Sequence, residues 1–344
     1  MSPRWKNHLK NRLKNSIKNQ GCVAFLTLAC LLAGGCTAMK VRMGLRADLN
    51  KTPISSIQAS LPKGPAIAPG QKLPLLVTLT QPNGKVLLTE GQGAGKVMWK
   101  DLQVDATVVI ADEKGILQLP EDPRASLGKV GHVTVSVPSQ PNLHAELDVP
   151  VRYDFAFVSD FSGRPGASGM SGQDGLNGTG GSMGSIDLNS PSPGGNGSDG
   201  GNGSDGHDGN PGGNAPPVDV RMALREGNHP LLQVSVSAPG HRRLYLVDPQ
   251  GGSLTVKADG GPGGSGGRGG RGGRGGSGGT GTPNGSDGHN GSDGRNGWDG
   301  PQGKGGLITI TYDPQASPFM GVLHLSSRNG PAPLYKEAPV NPPW

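Results

Sequence analysis

Three arginines, Arg268, Arg271 and Arg274, stand three residues apart in a tract otherwise made of Gly, Ser, Thr and Pro. In an extended three-fold chain rising about 3.1 Å per residue, that spacing aligns their side chains on one face, roughly 9 Å apart. Such a row fits a docking stripe for an anionic polysaccharide or lipid headgroup; it also fits ion pairing with aspartates of a neighbouring segment. Aspartates recur nearby at 199, 205, 208, 287, 293 and 299. The stretch Gly200–Asp208 partly matches a calcium-binding nonapeptide, making Asp199, Asp205 and Asp208 weak calcium candidates. His207 stands where that motif needs an apolar residue, and the period is three rather than nine, so these carboxylates are expected to be solvated or ion-paired. The eight histidines are scattered, and no HExxH, GxSxG, Walker or dinucleotide loop occurs. The chain is therefore expected to be non-enzymatic, with no catalytic residue, no metal and no cofactor.

Cys36 carries a different chemistry. Arg4, Lys6, Lys10, Arg12, Lys14 and Lys18 precede an apolar run from Val23 to Leu32, and Ala33, Gly34 and Gly35 lead into the cysteine. A basic region, a short apolar region and small residues at a cleavage point form the pattern of a secretory signal, and the apolar run is shorter than the roughly 20 residues of a membrane span. The segment Leu-Ala-Gly-Gly-Cys resembles the bacterial lipobox, with Ala33 where that motif usually has Leu. The resemblance implies lipidation of Cys36, cleavage after residue 35, and a membrane partner reached through that lipid. Thr37, rather than Asp, behind the cysteine points by the same resemblance to an outer membrane. Removal of residues 1–35 takes six of the 32 basic residues and leaves 26 facing 26 acidic ones. The formal charge of +6 is then no argument for nucleic acid, and none is expected as a partner. All three cysteines lie at or before position 36, so the remainder has no disulfide to stabilise it.

These groups need a scaffold, and two periods describe it. Residues 36–50 read as anchor and tether. Over 51–158, Leu75/Val77/Leu79, Val104/Ala106/Val108, Val133/Val135/Val137 and Leu143 to Val151 alternate between turn residues. This is the pattern of antiparallel strands with one wet face, and its length suits an immunoglobulin-like sandwich with Trp99 as a core anchor. From residue 159 to 313 the period becomes three. Glycine occupies every third position in four tracts, 163–184, 194–212, 260–281 and 285–306, with a strand-patterned insert over 214–259. Ser253–Asp259 and Leu307–Asp313 flank the last two tracts, as a β platform extruding rods would require. Residues 314–344 read as a final strand and tail. The fold class expected is all-β: the sandwich, then a platform bearing polyproline/polyglycine-II-type rods in a bundle, with no helix after the signal.

Gly at every third position serves either a three-chain collagen helix or a bundle of extended segments from one chain. Only four prolines (Pro165, Pro211, Pro262, Pro301) fall in the tracts, well below collagen usage. The tracts nearly match in length, and their interruptions suit fold-back. The third is mostly Gly-Gly-X, which gives it two side-chain-free faces and hence an interior place. A trimeric stalk and a flexible linker remain the alternative readings.

The lipobox and the Gly-X-X tracts together resemble bacterial collagen-like, glycine-rich surface lipoproteins. The resemblance implies a cell-envelope, structural or adhesive protein, with polysaccharide or other envelope proteins as partners.

Overall fold

The computed structural model describes residue 43, residues 45–225, residue 227 and residues 229–344; Cys36 and segment 1–35 lie outside the described residues. The chain is all-β and divides into two compact units, Met1–Arg152 and Tyr153–Trp344.

The first unit contains β1 (Ser56–Ser60), β2 (Lys72–Pro74), β3 (Leu76–Thr80), β4 (Val86–Leu88), β5 (Gln103–Thr107), β6 (Ile110–Ala111), β7 (Ile116–Gln118), β8 (Val130–Val137) and β9 (Gln140–Pro150). They form three antiparallel three-stranded sheets, β1-β3-β4, β2-β7-β6 and β5-β8-β9. The period-2 pattern sends Val77 and Leu79 of β3, Leu117 of β7, and Val133, Val135 and Val137 of β8 into one core. Trp99 joins it, and its Nε1 donates to the Glu90 carbonyl at 3.3 Å. The indole lies on Gly115, at a turn with φ +71°, where any Cβ would strike the ring.

The second unit contains β10 (Ala156–Asp160), β11 (Val218–Arg225), β12 (Leu231–Ala238), β13 (His241–Val247), β14 (Ser253–Lys257), β15 (Ile308–Tyr312), β16 (Leu323–Ser326) and β17 (Leu334–Glu337). The boundary at Arg152/Tyr153 falls ahead of the expected 158, because β10 pairs with β14 rather than with the first unit's strands. One sheet is β10-β14-β16, wholly parallel; the other is β13-β12-β11-β15-β17, antiparallel across β11–β13 and parallel across β11-β15-β17. Leu254, Val256, Val220, Met222, Ile308 and Ile310 are buried, and the Phe157 ring meets Tyr245 at 5.8 Å, joining the sheets. Each pair of glycine tracts carries the chain from a strand of the β10-β14-β16 sheet to a strand of the other sheet. Rod 1 (163–184) leaves β10 and rod 2 (194–212) returns toward β11; rod 3 (260–281) leaves β14 and rod 4 (285–306) returns into β15.

The expectation of no helix needs correction. Short 3-10 segments occur at Gly91–Gly93, Trp99–Asp101, Pro123–Ala125 and Pro314–Val322. The last precedes the expected C-terminal strand, which forms as Leu323–Ser326 and is followed by a second strand, Leu334–Glu337. Asp313 caps the segment by accepting from the Gln315 N–H at 3.1 Å, and Pro314 and Pro318 keep it out of a ladder. No described helix is long and apolar enough to cross a membrane.

Candidate functional site

An extended glycine rod makes no hydrogen bonds within itself, so each backbone N–H must find a partner beside it or be left to water. In the structure the four rods lie side by side and are paired by backbone hydrogen bonds of 2.7–2.9 Å repeating every third residue. Rod 1 donates to rod 3 in parallel, from Gly163 to the Asp259 carbonyl through Gly184 to the Thr280 carbonyl. Rod 2 donates to rod 4 in parallel, from Gly194→Pro283 to Gly212→Pro301, and the pairing continues at Ala215→Lys304 beyond the tract's last glycine. Rod 2 also donates antiparallel to rod 1 (Gly201→Leu176), rod 3 to rod 2 (Gly270→Ser204), and rod 4 to rod 3 (Gly294→Gly270). Rods 2 and 3 therefore each lie against all the others, while rods 1 and 4 are edges. The close approach needs glycine: a Cβ at Gly270 would strike the Gln173 carbonyl, and one at Gly203 the Gly270 carbonyl. Rods 1 and 4 carry side chains at two of three positions, so a fifth rod has no bare face on which to pack.

The sheets set the register of the rods. Ala156 of β10 faces Ser253 of β14, and the same offset of 97 recurs where Arg271 of rod 3 donates to Asp174 of rod 1. Val218 of β11 faces Ile308 of β15, and the same offset of 90 recurs where Trp298 donates to Asp208. A parallel ladder thus runs into each parallel rod pair without a slip. At the root, Asp259 is buried and accepts from Ser326 Oγ at 2.6 Å, Arg328 N–H at 2.7 Å and Arg328 Nε at 3.1 Å. Burial pushes its pKa up, but these donors outweigh burial and hold the carboxyl below the usual aspartate range.

The aspartates of the repeat are exposed, as a solvated reading expects, but each also holds a backbone N–H of a neighbouring rod, and ion pairing is not their chief role. Asp199, Asp205 and Asp208 of rod 2 accept, through Oδ1, the backbone N–H groups of His289, Arg295 and Trp298 at 2.7 Å. Asn196, Asn202 and Asn214 do the same for Ser286, Ser292 and Lys304 at 2.7–2.9 Å. Asp287, Asp293 and Asp299 of rod 4, alternating with Asn290 and Asn296, cap the N–H groups of rod 3 glycines at 2.7–2.9 Å. At one level of rod 3 every N–H is satisfied: Gly270 by the Ser204 carbonyl, Arg271 by Asp174, and Gly272 by Asp293. The signal in the sequence was Asn and Asp exchanging at one repeat position, which an ion-pairing role would not tolerate and an amide or carboxylate acceptor does. Asp199 also approaches the His289 ring at 3.3 Å, and hydrogen bonds from His289, backbone first, lower its pKa. Among the described residues no group of three or more His, Cys, Asp or Glu could hold a metal ion.

This arrangement makes a direct prediction. Asp205→Asn keeps the acceptor and leaves the melting temperature within about 1 °C. Asp205→Ala strands the Arg295 N–H toward water and lowers stability by about 1 kcal/mol, roughly 2–4 °C for a unit of this size. Calcium added to either variant leaves the melt where it was. Scanning calorimetry reads all three results, and equal melts for Asn and Ala would remove the acceptor role.

Arg268, Arg271 and Arg274 are exposed along rod 3, and their carbonyls accept from Gly172, Gly175 and Gly178. Among the described residues no ion pair involves them. The expected Arg–Asp pairing is thus replaced by Asp–backbone capping: Asp174 and Asp293 lie on either side of Arg271, with Oδ1 of each turned to an N–H. On rod 4 one residue escaped the reading of the sequence: Trp298 is 81% exposed. Its backbone is held on both sides, N–H to Asp208 at 2.7 Å and carbonyl from Gly209 at 2.9 Å. Compared with known proteins, the chain matches no family model and no curated protein sequence.

Proposed function

We propose that the protein is a non-enzymatic, lipid-anchored component of the bacterial cell envelope that displays a stiff, single-chain bundle of polyglycine-II type for weak, multivalent contacts. The observation that supports this reading is the lateral hydrogen-bonding of all four rods, which turns a glycine-rich tract into a rigid surface with side chains repeated at fixed intervals. Rigidity removes most of the ordering cost from each contact, and repetition raises avidity without any one strong site. In this reading Cys36 carries the lipid, the first unit is an immunoglobulin-like spacer, and the second unit presents the rods to envelope polysaccharide or to other envelope proteins. An outer-membrane location follows from Thr37 by the lipobox resemblance. The exposed row Arg268, Arg271 and Arg274 is one such repeated surface.

Two measurements test the reading. Cys36→Ser should move the protein from the membrane fraction to the soluble fraction on cell fractionation; retention in the membrane would remove the anchor. Purified protein should sediment with isolated envelope fragments and melt cooperatively at a temperature independent of protein concentration. A concentration-dependent melt would favour a trimeric stalk, and failure to bind the fragments would remove the adhesive role.

A further inference from the structure

Trp298 is the one Phe, Tyr or Trp residue in the four rods, and it has no packing role. Its indole pairs with no other ring among the described residues and stands in water at 81% exposure. A large amphipathic ring is costly to leave in water and is enriched where partners bind. Its backbone is already clamped, so binding would order only two side-chain torsions.

The rods' register identifies what surrounds it. Gly297 donates to the Gly267 carbonyl at 2.8 Å in an antiparallel pairing, which brings Trp298 level with Gly266 of rod 3. Arg295 precedes it by one repeat in the same row, about 9 Å along the rod. Asp205 and Asp208 of rod 2 cap Arg295 and Trp298, and Asp299 follows in the chain and caps Gly266. Each of these carboxylates uses Oδ1 for that bond and has Oδ2 without a partner among the described residues. The surroundings are therefore an apolar ring face, the guanidinium group of Arg295 and three free carboxylate oxygens. Such carboxylates repel a polyanion such as nucleic acid or polyuronate, and they accept well from hydroxyl groups. A chain of sugars has apolar ring faces to stack and hydroxyls to donate.

We propose that Trp298, with Arg295, Asp205, Asp208 and Asp299, forms a subsite for a neutral, β-1,4-linked polysaccharide. The pyranose face stacks on the indole, and hydroxyls reach the carboxylates and Arg295. A β-1,4 chain of neutral pyranoses is a flat ribbon with apolar ring faces that can stack on an indole and equatorial hydroxyls along its edges that can reach the carboxylates beside it. The proposal rests on the display function above and names the ligand class for one face of the bundle.

The test uses the full chain in detergent and cellohexaose as the probe. Titration should quench or shift indole emission saturably. Trp298→Ala should weaken binding about tenfold or more, with an unchanged melting temperature, and Trp298→Phe should recover part of it. Oligogalacturonate of similar length should bind more weakly than cellohexaose. The proposal is overturned if cellohexaose gives no saturable signal at millimolar concentration, if Trp298→Ala binds as the parent does, or if oligogalacturonate binds more tightly. A dimer seen by light scattering in the parent and lost in Trp298→Ala would also overturn it, assigning the ring to a second copy. Envelope binding that persists in Trp298→Ala would fail this subsite alone; envelope binding absent from the parent would fail the display function itself.

Discussion

Gly270→Ala should lower the melting temperature of the second unit by roughly 10 °C, while Gly180→Ala leaves it nearly unchanged. Both replace glycine by alanine in a rod, so intrinsic propensity does not separate them. Gly270 lies at the centre of rod 3, where the new Cβ would strike the carbonyl of Gln173 in rod 1. The rods must then part, and the bonds from Gly172 to Arg268 and Gly175 to Arg271 stretch with them. Overpacking costs about 1–3 kcal/mol and each lost hydrogen bond about 0.5–1.5 kcal/mol. The sum is about 4 kcal/mol, which at roughly 2–4 °C per kcal/mol gives the expected shift. At Gly180 the nearest atom to a new Cβ, the Ser277 carbonyl oxygen, is 3.6 Å away, and the residue is exposed. Calorimetry on the two variants checks the pair. Equal shifts would mean that the rods do not pack as closely as glycine allows.

Removing the carboxylate at the root has the second large effect. Asp259→Ala leaves Ser326 Oγ and the Arg328 N–H without their acceptor in a buried place, and it frees Arg328 Nε. Arg328 is largely exposed, so its ion pair adds little; the stranded donors account for most of a loss of about 3 kcal/mol. Asp259→Asn keeps an acceptor for the first two and should cost less than half as much. The native carboxyl is held below its ordinary pKa, so the folded state binds the proton less readily than the unfolded state does. Its stabilisation is therefore fully present above about pH 4 and is lost as pH falls through the depressed value. Melting temperature measured from pH 6 to pH 2 should fall less in Asp259→Ala than in the parent, and parallel curves would contradict the assignment.

The sequence was readable where a period maps directly onto geometry. Alternation at Val133, Val135 and Val137 specifies one buried face whatever lies opposite, because the side-chain period of a strand is two. Glycine at every third position specifies an extended chain with a bare face, because only there does the absence of a Cβ recur in step with the three-fold turn. Other features depended on partners far away in the chain. The role of Asp205 lies in an N–H 90 residues away, so its own neighbourhood suggested calcium or solvent. Rod 2 pairs as far as Ala215, past its last glycine, because the acceptor at Lys304 belongs to rod 4.

The sequence by itself therefore determined the longer alternating strands, the four glycine tracts, and that glycine must line the tracts' contacts, since these are properties of a segment's own backbone and side-chain period; β4, β6, β7, β10 and β17 were not read from it. Only the tertiary structure decided the parallel pairing of β10 with β14 and β11 with β15, the break at Arg152/Tyr153, and the conversion of Asn and Asp into backbone acceptors. Those are relations between segments, fixed by which orphaned N–H groups meet which carbonyls once the chain has turned back on itself. The exposure of Trp298 belongs with them: an aromatic residue in a repeat becomes a core residue or a surface residue according to the rod that does or does not lie beside it.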